Sequence, residues 1–557
     1  MKILFLTHSF NSLTQRLFAE LAALGHEVSV EFDIADSVSE EAVALFQPDL
    51  ILAPFLKRAI PESIWRQHVC LIVHPGIVGD RGPSALDWAI QSGETEWGVT
   101  VLQAEAAMDA GPVWATATFP MRQAKKASLY RQEVTEAAVS AVKAALARFE
   151  CGEPPTALAA CSDARGQLRP VMRQADRALD WQCDDTATIL RKMDAADGFP
   201  GVADRLFDQP CHLYDAWPEA QLRGTPGAVI GQRETAVCRA TLDGAIWIGH
   251  VRRPDGFKLP TTMAFAAECT AVPDVPLDGW FAADHATWQD IRYEEADGVG
   301  FLHFDFYNGA MGTRQCERLT AAFRFAAQRP TKVIVLMGGR DFWSNGIHLN
   351  LIEAARSPAD ESWANINAID DLAEAILRCE THLTVAAVGA NAGAGGCFLA
   401  RACDQVWIRE GVILNPHYKN MGNLYGSEFW TYLLPQRVGV AGAAALMQHR
   451  LPMSANEAVR LGFYDAVLPA PTFRAEVARR AAELLKDDVS WQLEEKQQAR
   501  AADEAVKPLA VWRAEELAAM RRNFYGFDPS YHVARWHFVA KSPQSWTPRH
   551  LARHRLY

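Results

Sequence analysis

Cys-x-x-Cys spacing is absent from this 557-residue chain, although it carries 11 cysteines. An odd, scattered set of thiols with no secretory context excludes a disulfide scaffold and a zinc-ribbon framework, and reads as reduced cysteine in a cytoplasmic protein. HExxH is missing too, so no metal is expected. Positive charge is in short supply: 55 Lys and Arg against 67 Asp and Glu leave a net charge of −12. Phosphate-backbone binding needs clustered cations, so no nucleic-acid partner is expected. No run of about twenty apolar residues is free of breakers, which argues against a membrane span. The opening MKILFLTHSF lacks the long apolar core and small-residue cleavage site of a signal peptide. Internal repeats and low-complexity tracts are likewise missing.

What is present is an ordinary globular balance, 49% hydrophobic and 22% charged, in a chain long enough for several domains. KILFLT, EVSVEF, DLILAPF and VCLIVHPG read as strands alternating with helical stretches, TQRLFAELAALG among them, which ends at Gly25. That alternation predicts an α/β fold, a doubly wound and mostly parallel sheet with helices on both faces. Ligands in such sheets sit at the carboxyl ends of strands. The loops from His8 to Arg16 and from His74 to Arg81 are therefore candidate site loops.

Residues 151–180 turn to Gly, Pro, Asp and Arg, as a connector would. After the helical TATILRKMDAAD, the closely spaced HLYDAW, GAVIGQ, ETAVCRAT and AIWIGHVRR suggest a small OB-like β-barrel. VPDVPLDGW is a linker, and from about residue 288 VGFLHFDF, KVIVLMGG, LTVAAVGA and DQVWIRE mark a second α/β core with a charged helical tail. The expected domains span residues 1–165, 166–275 and 285–557.

In HPGIVGDRGPSALDWAIQSGETEWGVTVLQAEAAMDAGPVWA, residues 74–115, His74 and Asp109 fall on loops separated by a helix and a strand. A His–carboxylate pair can relay a proton while an acyl carbon passes through a tetrahedral intermediate. HP, then RG, WAI, GVT and a D-x-G turn resemble, in order and spacing, the N10-formyltetrahydrofolate-dependent formyltransferases. That resemblance extends over roughly residues 1–270 and implies that His74 and Asp109 are the catalytic pair. It also locates a departure: the family's catalytic Asn position is Ile72 here.

GGRDFWSNGIHLN and AAVGANAGAGGCFLARACD resemble the two oxyanion segments of the crotonase (enoyl-CoA hydratase/isomerase) superfamily. The resemblance implies that the N–H groups of Ile347 and Gly395 polarise a thioester carbonyl, with glycine where backbone must approach closely. GAGGCF lacks the third glycine of a dinucleotide fingerprint, and no GK[ST] follows for a P-loop. The two glutamates that hydratases use correspond to Phe398 and His417, so alkene hydration is not expected. NPHYKNMGNLYGSEFW instead offers Tyr418, assisted by Glu428, for proton transfer, with His417 as a competing candidate.

A formyl-folate module joined to a thioester module is similar to the HypX/HoxX family of hydrogenase maturation factors over nearly the whole chain. The resemblance implies an enzyme that passes formyl from N10-formyltetrahydrofolate to coenzyme A, then decarbonylates formyl-CoA to CO for [NiFe]-hydrogenase. Its partners would then be small molecules and hydrogenase maturation proteins. Arg16 and Arg131, near the predicted N-terminal site, are candidates for holding coenzyme A phosphates. Two alternatives stay open: a formyl-folate hydrolase or transferase with another acceptor, and a non-enzymatic folate- or coenzyme A-binding scaffold.

Overall fold

The computed structural model describes residues 1–486 and 489–556. They form two compact units: 1–275 with 286–288 and the segment from Pro543 onward, and 276–285 with 289–542.

In the first unit, β1 (Lys2–Thr7), β2 (Glu27–Phe32), β3 (Leu50–Ala53), β4 (Cys70–His74), β5 (Glu96–Gln103) and β6 (Val113–Pro120) build a sheet of order β2-β1-β3-β4-β5-β6. The first four strands are parallel and the last two antiparallel. The strands are apolar runs because helices cover them: Leu4, Leu6, Ile51 and Cys70 pack with Phe46 and Ile64 in one buried cluster. The helix Ser12–Ala23 starts where the Asn11 side chain accepts from Thr14 N, and the chain turns out of it at Gly25 with φ +86°.

A second sheet of the same unit holds β7 (Val202–Leu206), β8 (Gln209–Glu219), β9 (Val229–Arg233), β10 (Ala236–Ala240), β11 (Ala245–Arg252) and β12 (Lys258–Pro260). The expected β-barrel is not formed. Among the described residues the sheet is an open path, β7-β8-β11-β10-β9, with β12 beside β11. Both edges are already occupied, which is why they do not close on each other. On β9, Gln232 N donates to Pro273 O and Gln232 O accepts from Val275 N, while on β7 Ala203 N donates to the Gln174 side chain.

The expected C-terminal domain ran to the end of the chain, but the tail from Pro543 belongs with the first unit. The reason is Glu31, fully buried on β2: its carboxylate accepts from His554 Nε2 at 3.0 Å, from Arg555 Nε at 2.9 Å and Nη2 at 2.7 Å, and from the Thr547 hydroxyl. A carboxylate sealed under a sheet needs such partners.

The second unit is built on β13 (Ile291–Ala296), β14 (Val299–Phe304), β15 (Val333–Gly338), β16 (Phe342–Ser344), β17 (Leu383–Val388), β18 (Asn391–Gly393), β19 (Gln405–Arg409), β20 (Ile413–Asn415), β21 (Met453–Ser454) and β22 (Ala466–Leu468). Its main sheet runs β13-β14-β15-β17-β19-β22, and a small sheet runs β16-β18-β20-β21. Leu336, Ala386 and Val388 of the main sheet pack in one large core with Phe323, Ile369 and Phe398 from three helices. The small sheet carries the glycine-bearing segments side by side, since β16 and β18 pair in parallel.

Candidate functional site

In the first unit His74 ends β4, and Asp109 sits in the loop between β5 and β6 with φ 52°. Strand pairing brings these distant positions together: His74 Nδ1 lies 3.7 Å from Asp109 Oδ2. The other ring nitrogen, Nε2, is 3.0 Å from Asp80 Oδ1. The imidazole thus stands between two carboxyl groups, and all three side chains are largely buried. Gly76 makes room for this, because a β-carbon there would overlap the imidazole and fall 2.8 Å from Asp80 Oδ1. Gly82 N donates to Asp109 Oδ2 at 3.1 Å and holds the second carboxylate in place. Ile72, two residues before His74, packs in the apolar cluster beneath the sheet and offers no donor.

The structure places Arg16 on the first helix, buried, with Nε donating to Glu20 at 2.8 Å and Nη1 to Glu136 at 3.2 Å. A phosphate at Arg16 would have to compete with both carboxylates. Arg131 lies half-buried on the π-helical turn Tyr130–Val134.

In the second unit Gly346, the residue before Ile347, adjoins Gly395. A β-carbon on Gly346, whose φ is +74°, would lie 3.4 Å from Gly395 N. Gly346 O accepts from Met311 N at 2.9 Å, so the trans peptide aims the Ile347 N–H the opposite way. Gly395 opens the helix Gly395–Arg401, and a first-turn N–H has no carbonyl of its own helix to donate to. A β-carbon on Gly395 would overlap the Glu428 carboxyl, and one on Gly426 would overlap the Tyr418 ring. Glycine is required at both positions because the Glu428 and Tyr418 side chains press on bare backbone.

The Tyr418 hydroxyl donates to Glu428 Oε2 at 2.6 Å. Phe398 stacks on the Tyr418 ring at 5.9 Å between centroids and 17° between planes, so an apolar ring walls the tyrosine. His417, also buried, adjoins Tyr418 in sequence. Burial, reinforced by the Glu428 charge, pushes the Tyr418 phenol well above its ordinary value. Burial, reinforced by the Asp370 charge, pushes the Glu428 carboxyl up as well, despite the tyrosine hydrogen bond. The phenol therefore keeps its proton, and the carboxyl is the group able to exchange one near neutrality.

Asp80, Asp370 and Glu516 were not singled out from sequence. Asp80 lies six positions after His74 within the same motif, which was a usable signal. Asp370 and Glu516 each belong to an acidic doublet whose other member, Asp371 or Glu515, is exposed, so local pattern cannot separate them.

Family comparisons agree with this division. The formyl transferase family matches residues 26–146, the formyl transferase C-terminal domain residues 171–267, and the enoyl-CoA hydratase/isomerase family residues 306–526. A hydrogenase maturation factor HoxX of Bradyrhizobium diazoefficiens is 54% identical over 560 aligned positions, covering 100% of this chain and 98% of the relative. The chain belongs to the HypX/HoxX family of hydrogenase maturation factors. The crystal structure of HypX from Aquifex aeolicus in complex with tetrahydrofolic acid superposes with a TM-score of 0.97 at 49% identity, covering 100% of this chain and 99% of that one. A methionyl-tRNA formyltransferase of Aromatoleum aromaticum is 24% identical, covering 42% of this chain and 75% of the relative. The HypX/HoxX assignment joins the two units in one enzyme: a formyltransferase module and a crotonase-like module. Among the described residues, no helix is long and apolar enough to cross a membrane, and no group of three or more His, Cys, Asp or Glu is placed to hold a metal ion.

Proposed function

We propose that this enzyme makes carbon monoxide for hydrogenase assembly from N10-formyltetrahydrofolate, with coenzyme A as the formyl carrier, in the cytoplasm alongside the other hydrogenase maturation proteins. The observation that carries the reading is the buried Glu428 carboxyl, set against Gly395 while Phe398 stacks on its hydrogen-bond partner Tyr418.

In the first step the coenzyme A sulfur attacks the formyl carbon; the C–S bond forms and the bond from carbon to folate N10 breaks. His74 takes the thiol proton and returns it to N10, with Asp109 and Asp80 holding the ring from both sides. Because Ile72 supplies no amide, oxyanion stabilisation in this unit falls to groups other than a side chain at that position. Arg131 is assigned to coenzyme A phosphate, and Arg16 shares that role only by yielding a carboxylate partner.

In the second step the Ile347 and Gly395 N–H groups hold the formyl oxygen of formyl-CoA. Glu428, as carboxylate, takes the formyl proton; the C–S bond breaks, the electron pair left on carbon becomes the lone pair of CO, and the proton goes to sulfur, regenerating the thiol. Tyr418 orients the carboxyl by its hydrogen bond. Hydration would require water and a second acid. Phe398 instead presents a ring, which keeps water from the thioester.

The test supplies full-length protein with N10-formyltetrahydrofolate, with and without coenzyme A, and follows tetrahydrofolate formation and haemoglobin-trapped CO together. CO that requires coenzyme A and matches tetrahydrofolate in amount supports the scheme. Formate in place of CO would support a hydrolase.

A further inference from the structure

Glu428 and Phe429 both adopt left-handed backbone, with φ of 58° and 59°, directly after Gly426 and Ser427. Two consecutive non-glycine residues in that region cost free energy and persist only where their surroundings over-determine them. The surroundings are two buried carboxyl groups from distant helices. Asp370, on the helix Pro358–Leu377, accepts from Glu428 N at 2.9 Å and from Ser427 Oγ at 2.7 Å. Glu516, on the helix Leu509–Tyr525, accepts from Phe429 N at 3.0 Å and from Thr431 N at 2.8 Å.

We propose that Asp370 and Glu516 are positioning residues for the crotonase-like site: together they grip the Ser427–Thr431 turn by its N–H groups and press the Glu428 carboxyl against Gly395. The assignment rests on the reading of Glu428 as the proton-exchanging group. Ser427 shows how closely the two grips are coupled. Its single hydroxyl lies 2.7 Å from Asp370 Oδ2 and 3.3 Å from Glu516 Oε2, and a hydroxyl has one proton to donate. The shorter contact goes to Asp370, so the hydroxyl proton ties the turn to one acid while the other lies within reach of the same oxygen.

The same grip sets the proton affinity of Glu428. The groups facing its carboxyl are Tyr418 on its own loop, Asp370, Glu516, Cys316 from the helix Thr313–Ala326 and Cys397 from the helix Gly395–Arg401. Arg513, paired with Asp371 at 2.6 Å and Glu374 at 3.0 Å, acts on Asp370 as the opposing positive charge. The nearby charges are thus mostly of one sign, and removing one of them favours the Glu428 carboxylate.

The test is an infrared titration of the full chain, following the protonated-carboxyl stretch that Glu428→Gln removes. In Asp370→Asn, whose amide oxygen still accepts the N–H but carries no charge, the midpoint of that band is expected to fall by about one pH unit or more. Glu516→Gln, read in the same way, shifts it in the same direction and serves if Asp370→Asn does not fold. A midpoint unmoved in a folded variant overturns the proposal, as does the absence of any band assignable to Glu428. CO release is scored separately: wild-type protein giving no CO from formyl-CoA would count against the proposed reaction, while the infrared midpoints still decide whether Asp370 and Glu516 control this carboxyl.

Discussion

Tyr418 and Glu428 share a 2.6 Å hydrogen bond in which the phenol is the donor, and neither side chain reaches solvent. In the proposed reaction a phenol that holds its proton this firmly serves as a fixed donor, while the carboxyl does the exchanging. Glu428→Gln is therefore expected to lower CO release from formyl-CoA by about 10²–10⁴-fold, the usual span for a general acid–base group. Tyr418→Phe removes one hydrogen bond to a charged group, about 1.5 kcal/mol, and is expected to cost roughly tenfold. Single-turnover rates on the two variants make the comparison. A larger loss in Tyr418→Phe than in Glu428→Gln would return the proton-accepting role to the tyrosine.

The pH dependence follows from the same group. Burial first, then the Asp370 charge, raise Glu428 to about 8, and its carboxylate form accepts the proton. CO release should climb with pH and level off above about 8. Stability runs the other way. A carboxyl whose folded value is raised contributes stability fully present below its unfolded value of about 4.3, and that contribution is lost as pH rises toward 8. Thermal melts of the full chain between pH 5 and 8 should fall more steeply for wild type than for Glu428→Gln. Parallel slopes would show that Glu428 does not titrate in the fold.

His74 offers a separate test in the first unit. His74→Ala and Asp109→Ala are expected to abolish formyl loss from N10-formyltetrahydrofolate while leaving CO release from supplied formyl-CoA intact. Asp80→Asn keeps a hydrogen-bonding atom at the imidazole but removes the charge 3.0 Å from Nε2, so a reduction of about tenfold or more in tetrahydrofolate formation is expected. Wild-type rates in Asp80→Asn would confine that residue to packing.

The strands of both α/β cores were legible because each is a short apolar run bounded by turn residues, as KILFLT becomes β1 and LTVAAV becomes β17. The glycine-bearing segments were legible for a different reason: Gly346 takes a positive φ of 74° and Gly395 has no room for a side chain, so the chemistry is written as an absence. What stayed hidden depends on partners far apart in the chain. Asp370 and Glu516 meet the turn at 427–431 across 58 and 87 positions, and nothing local tells each from its exposed neighbour. The direction of the Tyr418 shift was hidden too. Hydrogen bonding to a carboxyl in a buried site stabilises the phenol, not the phenolate, and burial is a property of the fold. The open second sheet was misread as a barrel because strand spacing does not reveal that residues 272–275 and Gln174 already occupy its edges.

The tail on β2 gives a stability prediction. Burial alone would raise the Glu31 carboxyl, but hydrogen bonds from His554, Thr547 and Arg555 outweigh it and hold the group below its ordinary value. Glu31→Gln leaves buried donors short of a charged acceptor and is expected to cost about 3 kcal/mol. Because the folded value is lowered, this contribution is present above the unfolded value of about 4.3 and fades as pH falls through the folded one. Chemical denaturation at neutral pH, with the first unit followed by proteolysis, measures the loss; a change under about 0.5 kcal/mol would show that the tail is not held by Glu31.

The central claim, that the crotonase-like unit converts formyl-CoA to CO, is tested most directly by supplying formyl-CoA labelled with carbon-13 at the formyl group to the full-length protein. The headspace is then followed by infrared spectroscopy and the solution by NMR. Labelled CO appearing in step with free coenzyme A, and falling away in Glu428→Gln, is the expected result. Labelled formate as the sole product, at a rate indifferent to Glu428→Gln, would contradict it.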